Sequence, residues 1–284
     1  KFWVKFIVRI CWILCFPTSA LANNRKDNDM NTLIDTHCHI TCDALYERID
    51  EVLDHAKREG IERMLIVCTN FTEYERAQYL KDREPERFDI ALGFHPNDLY
   101  DFKEADYVRL EELLKQERLI AVGEIGLDYH WDDVMPEDQK DGFVRQLQLA
   151  CKYNRPVLIH MREATRDTLD ILKEADSVKG IMHCYSGSKE VAQELIKSGF
   201  YISFGGPLTF KNSRGAPATA EALPLNRLFV ETDSPYLTPH PFRGKQNEPM
   251  YVRYTFDKLC EIKGVDKEQA AEQLRKNYED LFNL

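Results

Sequence analysis

The sequence predicts a single-domain (β/α)8 barrel, and three observations lead there. Short β-branched runs alternate with longer amphipathic stretches from residue 31 to the end. No internal repeat or low-complexity linker divides that region. A chain of 284 residues also suits one large α/β domain. A doubly wound open sheet is the structural alternative, but the glycine fingerprint expected after its first strand is missing.

The strand candidates, in order, are "TLIDT" (32–36), "RMLIVC" (63–68), "FDIALG" (88–93), "LIAVGE" (119–124), "PVLIH" (156–160), "GIMHC" (180–184), "FYISFG" (200–205) and "RLFVET" (227–232). Between the first two lies "ALYERIDEVLDHAKREG" (44–60), where Leu45, Ile49, Val52, Leu53 and Ala56 recur at helical spacing and Gly60 closes the segment. Similar segments run through 106–117, 137–153, 164–175 and 189–198, with a helical tail from about Met250.

Composition narrows the function classes. With 43% hydrophobic and 30% charged residues the chain is neither disordered nor a multi-span membrane protein. A net charge of −10 excludes general attraction to phosphate, although a local site or bound cations can still bind it. The cysteines Cys11, Cys15, Cys38, Cys42, Cys68, Cys151, Cys184 and Cys260 form no CxxC pair and read as reduced thiols of a cytoplasmic protein. Residues 1–22, "KFWVKFIVRICWILCFPTSALA", have the layout of a secretory signal peptide, and taken as one they would make the protein secreted. The reading preferred is a start at Met30, with residues 1–29 an extension and 30–284 the barrel domain. No stable membrane association is expected from Met30 onward, and in the upstream segment the longest unbroken apolar run, "ICWILCF", is too short to span a bilayer.

In a parallel barrel the C-terminal ends of all strands open on one face. Here those ends carry His37 and His39, His95, Glu124, His160, His183 and Asp233. Five of the eight histidines follow strand ends; His55, His130 and His240 do not. Taken singly, His160 or His183 reads first as a hydrogen-bonded rim histidine, Glu124 as an acid paired with Arg162, and Asp233 as part of a turn cap. Together, His37, His39, Glu124, His160, His183 and Asp233 exceed the four positions of one tetrahedral ion and imply two sharing a bridge, with Glu124 the natural bridge.

The motifs "DTHCHI" (35–40), "GFHP" (93–96), "VGEIGLDYH" (122–130), "PVLIHMREA" (156–164), "MHCYSG" (182–187), "GFYISFGG" (199–206), "ETDSPYLTPHPFRGKQNEP" (231–249) and "NYEDLF" (277–282) resemble the TatD-type metal-dependent deoxyribonucleases of the amidohydrolase superfamily. The resemblance runs from about Leu33 to Leu284 and implies a two-metal centre that cuts nucleic-acid phosphodiesters. It implies that His37, His39, Glu124 and Asp233 hold one ion, and Glu124, His160 and His183 the other. It sets His95 on the phosphate side, and Arg162 and Asp128 join it as expected substrate contacts. Thr41 departs from the family pattern, which commonly has Asp or Asn there.

The reaction expected is hydrolysis of DNA, rather than RNA, by a two-metal-activated water, as an exonuclease of 3'-5' polarity. Asp233 would accept the water's proton, Glu124 would bridge the ions, and His95 would either steady a phosphate oxygen or protonate the leaving group. Four histidines favour Zn2+, Mn2+ or Fe2+, and Mg2+ is retained because nucleases of this kind often use it. Basic groups in "FKNSRG" (210–215) and "FRGKQN" (242–247) read equally as substrate contacts or solvated surface, and Phe94, Tyr129, Trp131 and Tyr185 as base-stacking or packing residues. Asp35 is expected to support a ligating histidine, and Cys38 to point away from the ions. Two alternatives remain: a hydrolase of a small amide, lactone or phosphoester, and a non-enzymatic metal-binding interaction protein. Oligomeric state is not legible in the sequence.

Overall fold

A computed structural model of the protein describes residues 31–284 apart from Asp176. The readings made for residues 1–29 and for a start at Met30 lie outside the described residues. Eight parallel strands follow one another round the sheet in chain order: β1 (Leu33–Cys38), β2 (Ile61–Cys68), β3 (Phe88–Leu92), β4 (Ala121–Asp128), β5 (Val157–Arg162), β6 (Gly180–Met182), β7 (Tyr201–Phe204) and β8 (Leu228–Val230). With helices between them they make the (β/α)8 barrel that the alternating pattern predicts.

The helices are α1 (Asp43–Tyr46), α2 (Ile49–Arg58), α3 (Phe71–Arg83), α4 (Glu104–Lys115), α5 (Pro136–Lys152), α6 (Thr165–Glu174), α7 (Lys189–Lys197), α8 (Gly215–Ala222), α9 (Val252–Lys263) and α10 (Lys267–Phe282). Two of them, α3 and α8, were not expected from the sequence. The buried face of α3 is only Tyr74, Ala77 and Leu80, too sparse to stand out, though Asn70 caps it by accepting from the Glu73 amide at 3.0 Å. Helix α8 is short, begins with Gly215 and contains Pro217 near its start.

Two apolar layers hold the fold. The larger lies between sheet and helices, and Cys38 is buried in it, as strand geometry predicts. The smaller fills the barrel with Leu65, Val67, Ala91, Ala121, Leu158, Ile181, Tyr201 and Phe229, at least one from each of β2 to β8. Tyr278, Leu281 and Phe282 of α10 plug its lower end, and the Tyr278 hydroxyl donates to Asp89 Oδ2 at 2.8 Å.

Between β8 and β1 the ladder is reduced to one isolated bridge, Cys38 with Ser234. Two backbone bonds close the barrel there: His39 N–H to the Ser234 carbonyl at 2.8 Å, and Asp233 N–H to the His37 carbonyl at 2.9 Å. Side chains complete the seam. Thr36 Oγ1 donates to the Val230 carbonyl at 3.1 Å, and Asp35 accepts from the Thr232 amide at 2.9 Å and pairs with its hydroxyl at 2.5 Å. Among the described residues no helix is long and apolar enough to cross a membrane, and six cysteines are free thiols.

Candidate metal centre

The polar cluster sits directly above the interior apolar layer. His160 and His183 lie two residues beyond Leu158 and Ile181, which is the next inward-facing position on each strand. On β1 the register shifts between Asp35 and Cys38, so His37 and His39 take over the inward face that Ile34 and Thr36 hold lower down. Strand β4 does not end at Glu124, as the sequence suggested; it continues to Asp128 with a register shift between Val122 and Ile125. Gly126 makes the close β4–β5 approach available: its φ is +144°, and a Cβ there would fall 2.0 Å from the His160 carbonyl oxygen. Glu124 and His160 are thereby brought together.

Glu124 is central, and its two oxygens face different partners. Oε2 lies 3.3 Å from His37 Nε2 and 3.6 Å from His39 Nε2. Oε1 lies 2.7 Å from His183 Nε2, 2.8 Å from His160 Nδ1 and 3.7 Å from His95 Nε2. Asp233 joins the first set, with Oδ1 3.5 Å from His39 Nε2 and 3.9 Å from His37 Nε2. All six sequence-predicted ligands therefore converge. Three overlapping groups have ligand atoms within 4.8 Å of one another: His37, His39 and Glu124; His37, His183 and Asp233; His95, Glu124 and His160.

The donor set fits divalent cations. His39 Nδ1 lies 3.0 Å from the Val67 carbonyl, which can only accept, so Nε2 presents a lone pair in the neutral ring. That Nε2 faces the Nε2 of His37 at 3.2 Å, alongside two carboxylate oxygens. Acceptors converging in this way call for a cation between them. Carboxylates orient two further rings: Asp128 Oδ2 lies 2.9 Å from His160 Nε2, and Glu231 Oε1 lies 3.2 Å from His183 Nδ1. Each such pair turns the opposite nitrogen toward Glu124.

The cation-free cluster is strongly polarised. Burial pushes the Glu124 carboxyl up, but His183, His160 and His37 override it and hold it well below the usual range. Burial likewise opposes protonation of His183, yet Glu124 and Glu231 hold it well above its ordinary value. For His39 burial is outweighed by Asp233 and Glu124, which lift it to about 9. His95 differs: burial dominates and lowers it to about 4.

The other sequence-predicted residues divide. His95 lies beside Glu124, and its Nδ1 accepts from the Asn97 amide at 3.3 Å, leaving the hydrogen on Nε2. Arg162 ends β5, is exposed, lies 5.7 Å from the Trp131 ring centroid and has no carboxylate partner among the described residues. Asp128 is 2% exposed, with Oδ2 on His160 and Oδ1 accepting from the His130 amide at 2.9 Å, so in this arrangement its carboxylate faces a histidine and not the open mouth. Asp35 also differs, because it braces β8 through Thr232 and reaches only the backbone amide of His37, at 3.3 Å. Phe94 and Tyr185 are buried and cannot stack on a base, whereas Trp131 is 51% exposed. Tyr129 is half-buried, and its hydroxyl donates to Asp167 at 2.7 Å.

Glu231 was missed. Its Oε1 also accepts from the Cys184 amide at 2.6 Å. The available signal was parity, since it lies two residues before Asp233 in "ETD" and so shares its inward face.

Comparison with known proteins agrees with this arrangement. The family model described as TatD related DNase matches residues 34–283. The "uncharacterized metal-dependent hydrolase YabD" of Bacillus subtilis is 43% identical over 254 residues, covering 89% of this chain and 99% of that protein. The "uncharacterized metal-dependent hydrolase YcfH" of Escherichia coli is 36% identical over 262 residues, covering 89% and 96%. Among solved structures, the TatD homologue YJJV of Escherichia coli superposes with a TM-score of 0.85 at 29% identity, covering 90% of this chain and 99% of that one. With the barrel, the strand-end ligands and a match spanning nearly all the described residues, the chain belongs to the TatD-related DNase family.

Proposed function

We propose that this metal-dependent hydrolase cuts phosphodiester bonds of DNA, as a 3'-5' exonuclease, with two divalent cations held on either side of Glu124. The split of the Glu124 carboxylate carries the reading: Oε2 faces His37 and His39, and Oε1 faces His160 and His183. His37, His39 and Asp233 would complete one site, His160 and His183 the other. Bound there, such ions supply Lewis-acid activation of water and neutralise charge on the phosphate. Imidazole-rich sites of this kind suit Zn2+, Mn2+ or Fe2+ better than Mg2+.

The chain's own groups do the rest. Asp233 accepts the proton of the attacking water. His95, neutral at pH 7 with its hydrogen on Nε2, donates a hydrogen bond to a phosphate oxygen; a ring lowered to about 4 is poorly suited to being the protonated acid for the leaving group. Arg162 offers a charged donor to the same phosphate.

Metal analysis of the purified protein, combined with digestion of end-labelled single-stranded DNA, tests the reading. Glu124→Gln is expected to lose both bound metal and cleavage, and the order in which labelled products appear reads the polarity. A protein that binds metal yet leaves every DNA and RNA substrate intact would sink it.

A further inference from the structure

The segment that carries Asp233 belongs to no helix and touches the sheet at one bridge only, through Ser234. Its backbone is held in an uncommon shape. Asp233 has a φ of +56° and Leu237 one of +54°, left-handed conformations that such residues keep only when their surroundings enforce them. The carbonyls from Thr232 to Tyr236 therefore need partners inside an irregular turn. Two are met close by: Asp233 accepts from the Tyr236 amide at 2.8 Å, and Ser234 from the His39 amide at 2.8 Å.

The other three all go to Asn247, which is fully buried. Its side-chain Nδ2 donates to the Thr232 carbonyl at 2.8 Å and to the Tyr236 carbonyl at 2.5 Å. Its backbone N–H donates to the Pro235 carbonyl at 3.1 Å. Oδ1 accepts from the Glu248 amide at 3.0 Å, so the carboxamide has one orientation, with its hydrogens on the turn. Glu248 anchors the arrangement from behind. Its carboxylate accepts from Arg48 Nη2 at 2.5 Å and pairs with His55 Nδ1 at 2.8 Å, which ties it to α2.

We infer that Asn247 is a positioning residue for the metal centre: it holds the turn that brings the Asp233 carboxylate to His37 and His39. Asp233 Oδ1 lies 3.5 Å from His39 Nε2 and 3.9 Å from His37 Nε2. The place of that carboxylate is set by the backbone that bears it, and Asn247 grips this backbone on both sides of Asp233. The inference rests on the reading of Asp233 as a cation ligand and adds the residue that fixes it. Asn247 itself touches neither cation nor substrate, and its influence passes through the turn.

Titration of the metal-free protein with Zn2+ against a chromophoric chelator, with thermal melts of the same samples, tests the assignment. Asn247→Ala is expected to weaken the site of His37, His39 and Asp233 by about ten- to a hundredfold and to leave the site of His160 and His183 nearly unchanged. Asn247→Ser, which keeps one donor, is expected to lose less, and it carries the same test if the alanine variant does not fold. Thr238→Val removes another hydrogen bond of this loop, from the hydroxyl to the Lys245 carbonyl at 2.5 Å. It is expected to lower the melting temperature without moving either affinity. In an Asp233→Ala background the Asn247 substitution should add no further loss of affinity, because it acts through that carboxylate. Equal losses in both backgrounds, equal weakening of both sites, or unchanged affinity in the Asn247 variants each overturn the assignment. If Asp233→Ala binds Zn2+ no less tightly than the wild type, the ligand reading falls and this inference with it. A protein that meets every expectation yet cuts no nucleic acid upholds the assignment and overturns the nuclease reading alone.

Discussion

Of the two cation sites proposed, Glu231→Gln is expected to weaken the one that includes His183 and leave the other nearly intact. The carboxylate is fully buried, and its Oε1 faces His183 Nδ1 at 3.2 Å and accepts from the Cys184 amide at 2.6 Å. A hydrogen bond to a charged group contributes about 1.5–3 kcal/mol, against about 0.5–1.5 kcal/mol for a neutral pair. Glutamine keeps one acceptor oxygen but gives up the charge, so the support to His183 falls by roughly 1–1.5 kcal/mol, or about tenfold in affinity. Only the site that includes His183 feels this, because the Val67 carbonyl orients His39 independently. Glu231→Ala goes further and strands two buried donors at about 1–3 kcal/mol each, lowering stability as well as affinity. Titration of the metal-free protein with Zn2+ against a chromophoric chelator resolves the two affinities, and a thermal melt reads stability separately. If both sites weaken equally, or if the melting temperature falls while neither affinity moves, Glu231 does not act through His183.

Two further perturbations follow from the same geometry. His39 is held at about 9 in the cation-free protein, because Asp233 and Glu124 outweigh its burial, so it carries a proton at pH 7 that a ligating ring must lose. Metal uptake should therefore release protons, and affinity should rise with pH up to about 9; calorimetry in buffers of different ionisation enthalpy counts them, and a count of zero at pH 7 contradicts the assignment. The raised value also stabilises the cation-free fold fully below the unfolded value of 6.5, and this contribution is lost as pH climbs through about 9. Thr232→Val removes the hydroxyl from a buried Asp35 oxygen, at a cost of about 1–3 kcal/mol, equivalent to roughly 2–4 °C in Tm per kcal/mol. An unchanged melting curve would show that the seam bond contributes nothing.

The ligands were legible because a parallel barrel converts position along a strand into position in space. A histidine or carboxylate just beyond an apolar run has few other places to go, so His37, His39, Glu124, His160, His183 and Asp233, with His95 beside them, can be read as one cluster without any knowledge of distances. What resisted was whatever depended on the phase of a strand or on the second atom of a carboxylate. The β1 register shift moves Asp35 from the ligand face to the seam, and simple alternation cannot anticipate it. The sequence reading ends β4 at Glu124; carried to its observed end, four residues on, the strand sets Asp128 opposite Arg162 and within reach of His160. Phe94 and Tyr185 follow strand ends as the ligands do, yet turn into the core, and only burial distinguishes them from Trp131.

The incomplete ladder between the last strand and the first has a topological consequence. Asp35 and Thr232, which meet across it, are 197 residues apart in the chain. The centre straddles the same junction, drawing His37 and His39 from one side and Asp233 from the other. A cation held there as proposed would be a reversible cross-link that turns most of the barrel into a closed loop. Cross-links of long loops restrict the unfolded chain the most, with a gain that grows as the logarithm of loop length. Filling that proposed site and closing the chain would then be one event, which has to wait until the eighth strand lies beside the first.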